Sequence, residues 1–217
     1  MELSAVQARV LGALMEKQVL TPDVYPMTLN GLVTACNQTS SRDPVMRLEP
    51  AEVEQAVLDM KVLKLTRVVH PAAGERATKY RHIVDETLRL EPAEHAVLTL
   101  LLLRGPQTVA ELRTRSERLH AFESAVEVEE ALDALASRDE SLVVLLERLP
   151  GHKEARWAHL MAGPIDAQTL AASAHPPSSP SRIESLEQRV ADLEAEQALL
   201  AKELARLRAA LADLLPE

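Results

Sequence analysis

The feature that most constrains this chain is an internal repeat. Leu3, Val10, Leu11 and Leu14 recur as Leu90, Val97, Leu98 and Leu101 at an offset of 87. Thr28 and Leu32 recur as Thr108 and Leu112 at an offset of 80. Glu52-Val53-Glu54 with Ala56-Val57 recur as Glu127-Val128-Glu129 with Ala131-Leu132 at 75. The offset shrinks only between the matched blocks, where loops vary in length without disturbing a core. Any fold for this sequence must therefore build the same unit twice.

The first copy gives that unit its shape. Ala5, Val6, Val10, Leu11 and Leu14 fall at helical spacing, and Ser4 with Gln7 makes a capping-box start. The two prolines between Leu20 and Pro26 stop that helix, and Thr28 caps a second one whose apolar positions are Leu29, Leu32, Val33 and Cys36. The polar segment 37–48 reads as a loop. Pro50 suits a first helical position, and Val53, Ala56, Val57, Met60 and Leu63 supply a third buried stripe. From Thr66 to His70 the pattern turns β-branched; 71–76 reads as a turn and 78–84 as a returning strand. The second copy repeats this order and ends in a hairpin of 142–148 with 156–161 around Leu149-Pro150-Gly151. Three helices followed by a hairpin is the winged-helix plan. The expected fold class is mainly α with small β-hairpins (α+β): two tandem winged-helix domains, 1–88 and 89–163.

Beyond them, residues 164–182 are rich in Ala, Pro and Ser and read as a disordered linker. Strict heptads then occupy 183–215. Positions a are Ile183, Val190, Gln197, Leu204 and Leu211, and positions d are Leu186, Leu193, Leu200, Leu207 and Leu214. A lone helix this polar is marginal in water, so the stripe predicts a homodimeric coiled coil.

Composition narrows the function classes. Aromatic residues are 2% of the 217, namely Tyr25, Tyr80, Phe122 and Trp157, so the cores must rely on Leu, Val, Ala and Met. The single cysteine, Cys36, excludes an internal disulfide and points to a reducing compartment. Wholly apolar runs such as Leu100 to Leu103 are far short of the roughly 18 residues a membrane span needs. A soluble, cytoplasmic protein is expected.

At this point the chain resembles a known family, the YceH-like bacterial proteins, whose function is uncharacterised. The resemblance runs from Leu3 to about Ala162 and rests on four ordered segments. They are Cys36-Asn37-Gln38-Thr39-Ser40-Ser41-Arg42-Asp43-Pro44-Val45-Met46, Arg76 with Lys79-Tyr80, Arg104-Gly105-Pro106-Gln107-Thr108 with Glu111-Leu112-Arg113, and Pro150-Gly151 with Arg156-Trp157-Ala158-His159-Leu160. The resemblance implies a tandem winged-helix fold and brings no activity.

The residues themselves favour a non-enzymatic role. Cys36 lies on an apolar stripe, where a free thiol behaves as a small hydrophobe. The pairs His70 with His82 and His152 with His159 straddle hairpins without a third ligand in sequence, so they read as solvated strand residues and no metal or cofactor is expected. No glycine-rich phosphate loop can be formed, because the six glycines are dispersed.

The net charge of −9 argues against nucleic acid until it is divided: residues 1–88 carry −1, 89–163 carry −4 and 164–217 carry −4. Only the first copy is near neutrality. Its third helix opens with Glu49, Glu52 and Glu54, which disfavours insertion into a groove, whereas Arg42, Arg47, Lys64, Arg67, Arg76, Lys79 and Arg81 frame it. In the second copy Glu123, Glu127, Glu129, Glu130 and Asp133 crowd the third helix. The leading expectation is a DNA-contacting dimer, regulator-like, that holds phosphates of double-stranded DNA with its first wing and loops. The alternative is a protein-interaction module that docks a protein partner, chiefly through the second copy.

Overall fold

In the computed structural model, residues 2–71, 77–148 and 154–163 are described. The linker at 164–182, the heptads at 183–215 with their a and d residues, Arg76 and the two hairpin tips lie outside the described residues.

Local signals place the elements almost to the residue. α1 spans Ala5–Leu20, and its start is a capping box: Ser4 N donates to Gln7 Oε1 at 2.9 Å and Gln7 N donates to Ser4 Oγ at 3.2 Å. α2 spans Leu29–Cys36 with Thr28 Oγ1 accepting from Gly31 N. α3 spans Pro50–Val62 with the proline in the first turn, where its missing N–H costs nothing. The second copy repeats them as α5, Pro92–Arg104, α6, Val109–Ser116, and α7, Ala125–Ala136. Their starts use Glu94, Thr108 with Glu111, and Ser124 as capping groups.

Each trio is followed by an antiparallel hairpin. β2, Thr66–Val69, pairs with β3, Lys79–His82, and β4, Val143–Leu145, pairs with β5, Trp157–His159. Two features go beyond the sequence reading. Met27–Thr28 form a strand, β1, that pairs with β3, giving sheet order β1-β3-β2. Its counterpart in the second copy is a single bridge, in which Gln107 and Trp157 exchange backbone hydrogen bonds of 2.9 and 2.8 Å. The returning strand expected over 78–84 also ends early, at His82. A short helix, α4, Val84–Leu88, replaces its end and is held down by Thr87 Oγ1 donating to the Lys64 carbonyl at 2.7 Å.

The two copies are packed on each other. α1 lies along α5, and both are buried nearly all round: Ala8 to Glu16 and Glu94 to Leu103 are continuous buried runs. Gly12 lets them approach. A Cβ built on it would sit 2.9 Å from Leu103 Cγ and 3.0 Å from Leu102 Cβ. Backbone bonds also cross the junction, from Leu3 N to the Met161 carbonyl at 2.7 Å and from Asp43 N to the Leu103 carbonyl at 2.9 Å. One hydrophobic cluster runs through both copies, including Leu11, Leu14, Leu32, Met60, Leu98, Leu101, Leu112 and Leu132. Among the described residues, no helix is long and apolar enough to cross a membrane.

Candidate nucleic-acid interface

The β2–β3 pair of the first copy is built by alternation along two short strands. Successive side chains point to opposite faces of a strand. Thr66, Tyr80 and His82 turn inward and are buried, so Arg67, Lys79 and Arg81 share the outer face. The register then sets Arg67 directly opposite Arg81, with Lys79 two residues along from Arg81. Like charges directly opposite on antiparallel strands repel unless an anion lies between them. Here Glu86 on α4 supplies one, with its carboxylate 3.6 Å from the Arg67 guanidinium and 2.5 Å from that of Arg81. Glu86 itself is half exposed. A cationic face bridged by a solvent-facing carboxylate is also a face on which a phosphate oxygen could replace that carboxylate.

The remaining sequence candidates separate. Lys64 is exposed in the turn that opens β2, in the left-handed region at φ 56°. Arg47 is exposed on the long loop between α2 and α3. Arg42, read from sequence as a phosphate contact, is a correction. Its side chain is fully buried, its Nη1 and Nη2 donate to the two Glu16 carboxylate oxygens at 3.0 and 2.7 Å, and its Nε donates to the Ala35 carbonyl. Burial alone would raise the Glu16 pKa, but the hydrogen bonds and charge of Arg42, with Lys17 adding, outweigh it and hold the carboxyl below its ordinary value. A guanidinium committed to a buried carboxylate has no face left for DNA.

That finding explains the most specific segment of the sequence. Residues 36–46 form a clasp. Arg9 reaches across to the Cys36 carbonyl at 3.2 Å and the Pro44 carbonyl at 2.5 Å, while Asn37 and Leu48 pair through Asn37 Nδ2 and Oδ1. Cys36 lies inside this clasp, and burial pushes its thiol up to about 12, which suits a packing residue rather than a nucleophile.

The face of α3 is a poor partner for a duplex. Its exposed positions include Glu52, Glu54 and Asp59, together with Leu58 at 42% and Val62 at 82% exposure. In the second copy, Arg113, Arg115 and Arg156 are engaged internally, while Arg118 is exposed. Arg115 donates to Gln107 Oε1 and pairs with Glu111, Arg156 donates to the Pro106 carbonyl and to Glu111, and Arg113 donates to the Glu123 carbonyl.

His82, expected as a solvated strand residue, is instead part of the interior. It is 1% exposed rather than solvated, with His95 and Asp85 beside it. The signal was present in the alternation of β3, which places His82 on the same inward face as Tyr80.

Comparison with known proteins places the chain in a family. A family model described as "Protein of unknown function, DUF480" matches residues 3–152. A UPF0502 protein of Geobacter sulfurreducens is 48% identical over 198 residues, covering 91% of this chain and 90% of the relative. A UPF0502 protein of Pseudomonas savastanoi pv. phaseolicola is 45% identical over 208 residues, covering 95% and 92%. One of Delftia acidovorans is 44% identical over 213 residues, covering 96% and 92%. With a model match over most of its length and relatives this similar end to end, the chain belongs to the DUF480 family of bacterial proteins of unknown function.

Proposed function

We propose that the chain is a non-enzymatic pair of winged-helix units, 1–88 and 89–163, whose first copy contacts the phosphates of double-stranded DNA through its β2–β3 wing. In this reading the heptads of 183–215 join two chains into a regulator-like, cytoplasmic homodimer. One observation carries it: the register that gathers Arg67, Lys79 and Arg81 on one outer strand face, with the half-exposed Glu86 between the two arginines. Arg76, three residues before Lys79 in sequence, is the further cation of this reading. The acidic surface of α3 implies backbone contact with little reading of bases. Two wings on one dimer would raise avidity without new contacts.

The test is fluorescence anisotropy of the full chain with a random-sequence duplex at low salt. Binding that weakens with salt, and that Arg67→Glu with Lys79→Glu abolishes, supports the reading. No binding to any duplex at low salt refutes it. The dimer is tested separately by light scattering of the full chain against a version ending at Gly163; a monomeric full chain refutes the coiled coil.

A second reading has an observation of its own. Leu58, Val62 and Leu63 are exposed at 42%, 82% and 39%, and Val126 at 59% opens the acidic α7. Apolar side chains among carboxylates suit a protein partner with a basic rim. A stable partner whose capture is lost on Val126→Asp and kept on wing charge reversal would favour it over DNA.

A further inference from the structure

Where the two copies meet, three side chains converge that neither the wing nor the core requires. His82 ends β3, Asp85 lies in α4, and His95 lies in the first turns of α5. One ligand atom from each lies within 4.8 Å of the others. His95 is 6% exposed and His82 1%, while the Asp85 side chain is 36% exposed.

The polar atoms of this group do not satisfy one another. His95 Nε2 and Asp85 Oδ1 are both buried without a hydrogen-bond partner, although they lie 3.7 Å apart. That is too long for a hydrogen bond, which needs about 2.7–3.2 Å. It is close to the separation of two ligands on one tetrahedral ion: with bonds of about 2.1 Å, neighbouring ligand atoms stand roughly 3.4 Å apart. His82 is oriented for the same role. Its Nε2 lies 2.6 Å from Gln18 Oε1, an acceptor, so that nitrogen carries the proton and Nδ1 keeps its lone pair. The only bond to Nδ1 among the described residues is a long one, 3.3 Å from Val84 N. An acceptor on the far ring nitrogen is the usual way a metal-binding imidazole is fixed. Arg81, the neighbour of His82 on β3, is a cation that opposes a metal ion, and its charge is offset by Glu86.

We propose that His82, Asp85 and His95 bind one divalent transition-metal ion of the zinc class, which ties the wing of the first copy to α5 of the second. Two imidazoles and a carboxylate are the donor set that borderline ions such as zinc prefer, and three protein ligands leave a fourth position for water on the Asp85 side. The site lies behind the wing rather than on its cationic face, so it stands whether or not the wing contacts DNA.

The experiment uses the full chain, stripped with a chelator and dialysed. Titration with Co2+ is followed by visible absorption and titration with Zn2+ by calorimetry, with the melting temperature measured with and without Zn2+. One equivalent of Co2+ should give the intense d–d bands of a four-coordinate nitrogen and oxygen site, and Zn2+ should bleach them and raise the melting temperature. Asp85→Asn and His95→Gln should each weaken binding by more than tenfold, while His70→Gln, at an exposed histidine of the same wing, should leave it unchanged. Asp85 is partly exposed, so its variant folds even if the His95 variant does not, and circular dichroism checks this. Absence of stoichiometric binding in the wild type overturns the proposal, and so does binding that Asp85→Asn leaves intact.

Discussion

The two copies of the repeat share one scaffold and differ in where their cations go. Both open with capped helices, bury an equivalent leucine in their second helix and close on a hairpin. In the second copy Arg115 and Arg156 converge on Glu111, and backbone carbonyls take further arginine donors. The first copy instead sends one arginine inward, Arg42, and lines up Arg67, Lys79 and Arg81 outward on the β2–β3 pair. The two copies keep a common core and differ in the charged residues around it. A basic residue count therefore says little until the strand register and burial of each residue are known.

The largest effect expected from breaking this comparison is at Arg42. Arg42→Ala leaves the Glu16 carboxylate buried without its partner and should cost about 3–5 kcal/mol in chemical denaturation. It also changes the pH response. The folded pKa of Glu16 lies below the ordinary 4.5, so its contribution is present above that pH and is lost as pH falls through the folded value. The wild type should lose stability on acidification below about pH 5, and the variant should lose less over the same range.

Equivalent core positions should behave alike. Leu32→Ala and Leu112→Ala, both at 0% exposure, should each cost about 2–5 kcal/mol. Because one cluster spans both copies, each variant should still unfold in a single transition at 1–163, seen by coincident circular dichroism and tryptophan fluorescence from Trp157. Two separate transitions would show that the copies are energetically independent.

A smaller loss is expected at the junction. Gly12→Val forces a side chain against Leu102 and Leu103 and should cost about 1–3 kcal/mol by overpacking. Gly105, with nothing within 4 Å of a Cβ, offers no comparable clash, although its positive φ of 68° still disfavours other residues. The smallest stability change belongs to the wing. Arg67→Glu should stay within about 0.5 kcal/mol of wild type in denaturation, because a half-exposed ion pair contributes little.

Much of this architecture was legible in the sequence because the signals are local. Ser4, Thr28 and Thr108 cap helices through their own side chains, and Pro50 fixes a first turn. What was not legible depends on distant partners. The apolar stripe of α1 underestimates its burial, because Ala8, Gly12 and Met15 are covered by the second copy, and only the run Leu100 to Leu103 hints that α5 is covered on both sides. β1 is two residues long and exists only because β3 passes beside it. α4 replaces the end of a strand because its Glu86 and Thr87 find partners on β2, β3 and the end of α3. Arg42 reads as an exposed loop cation until Glu16, 26 residues earlier, is seen to receive it. His82 becomes more than a strand residue only when α5 brings His95 against it.

The most direct test of the difference between the copies is the salt dependence of binding to a random duplex, measured on the full chain. If Arg67, Lys79 and Arg81 each meet a phosphate, the logarithm of the affinity should fall against the logarithm of salt concentration with a slope of about −2.7 per wing. Arg67→Glu with Lys79→Glu should reduce that slope by about 2 or abolish binding, while Arg118→Glu, exposed in the second copy, should leave it unchanged. A slope that responds equally to both sets of charge reversals, or to neither, would contradict the account.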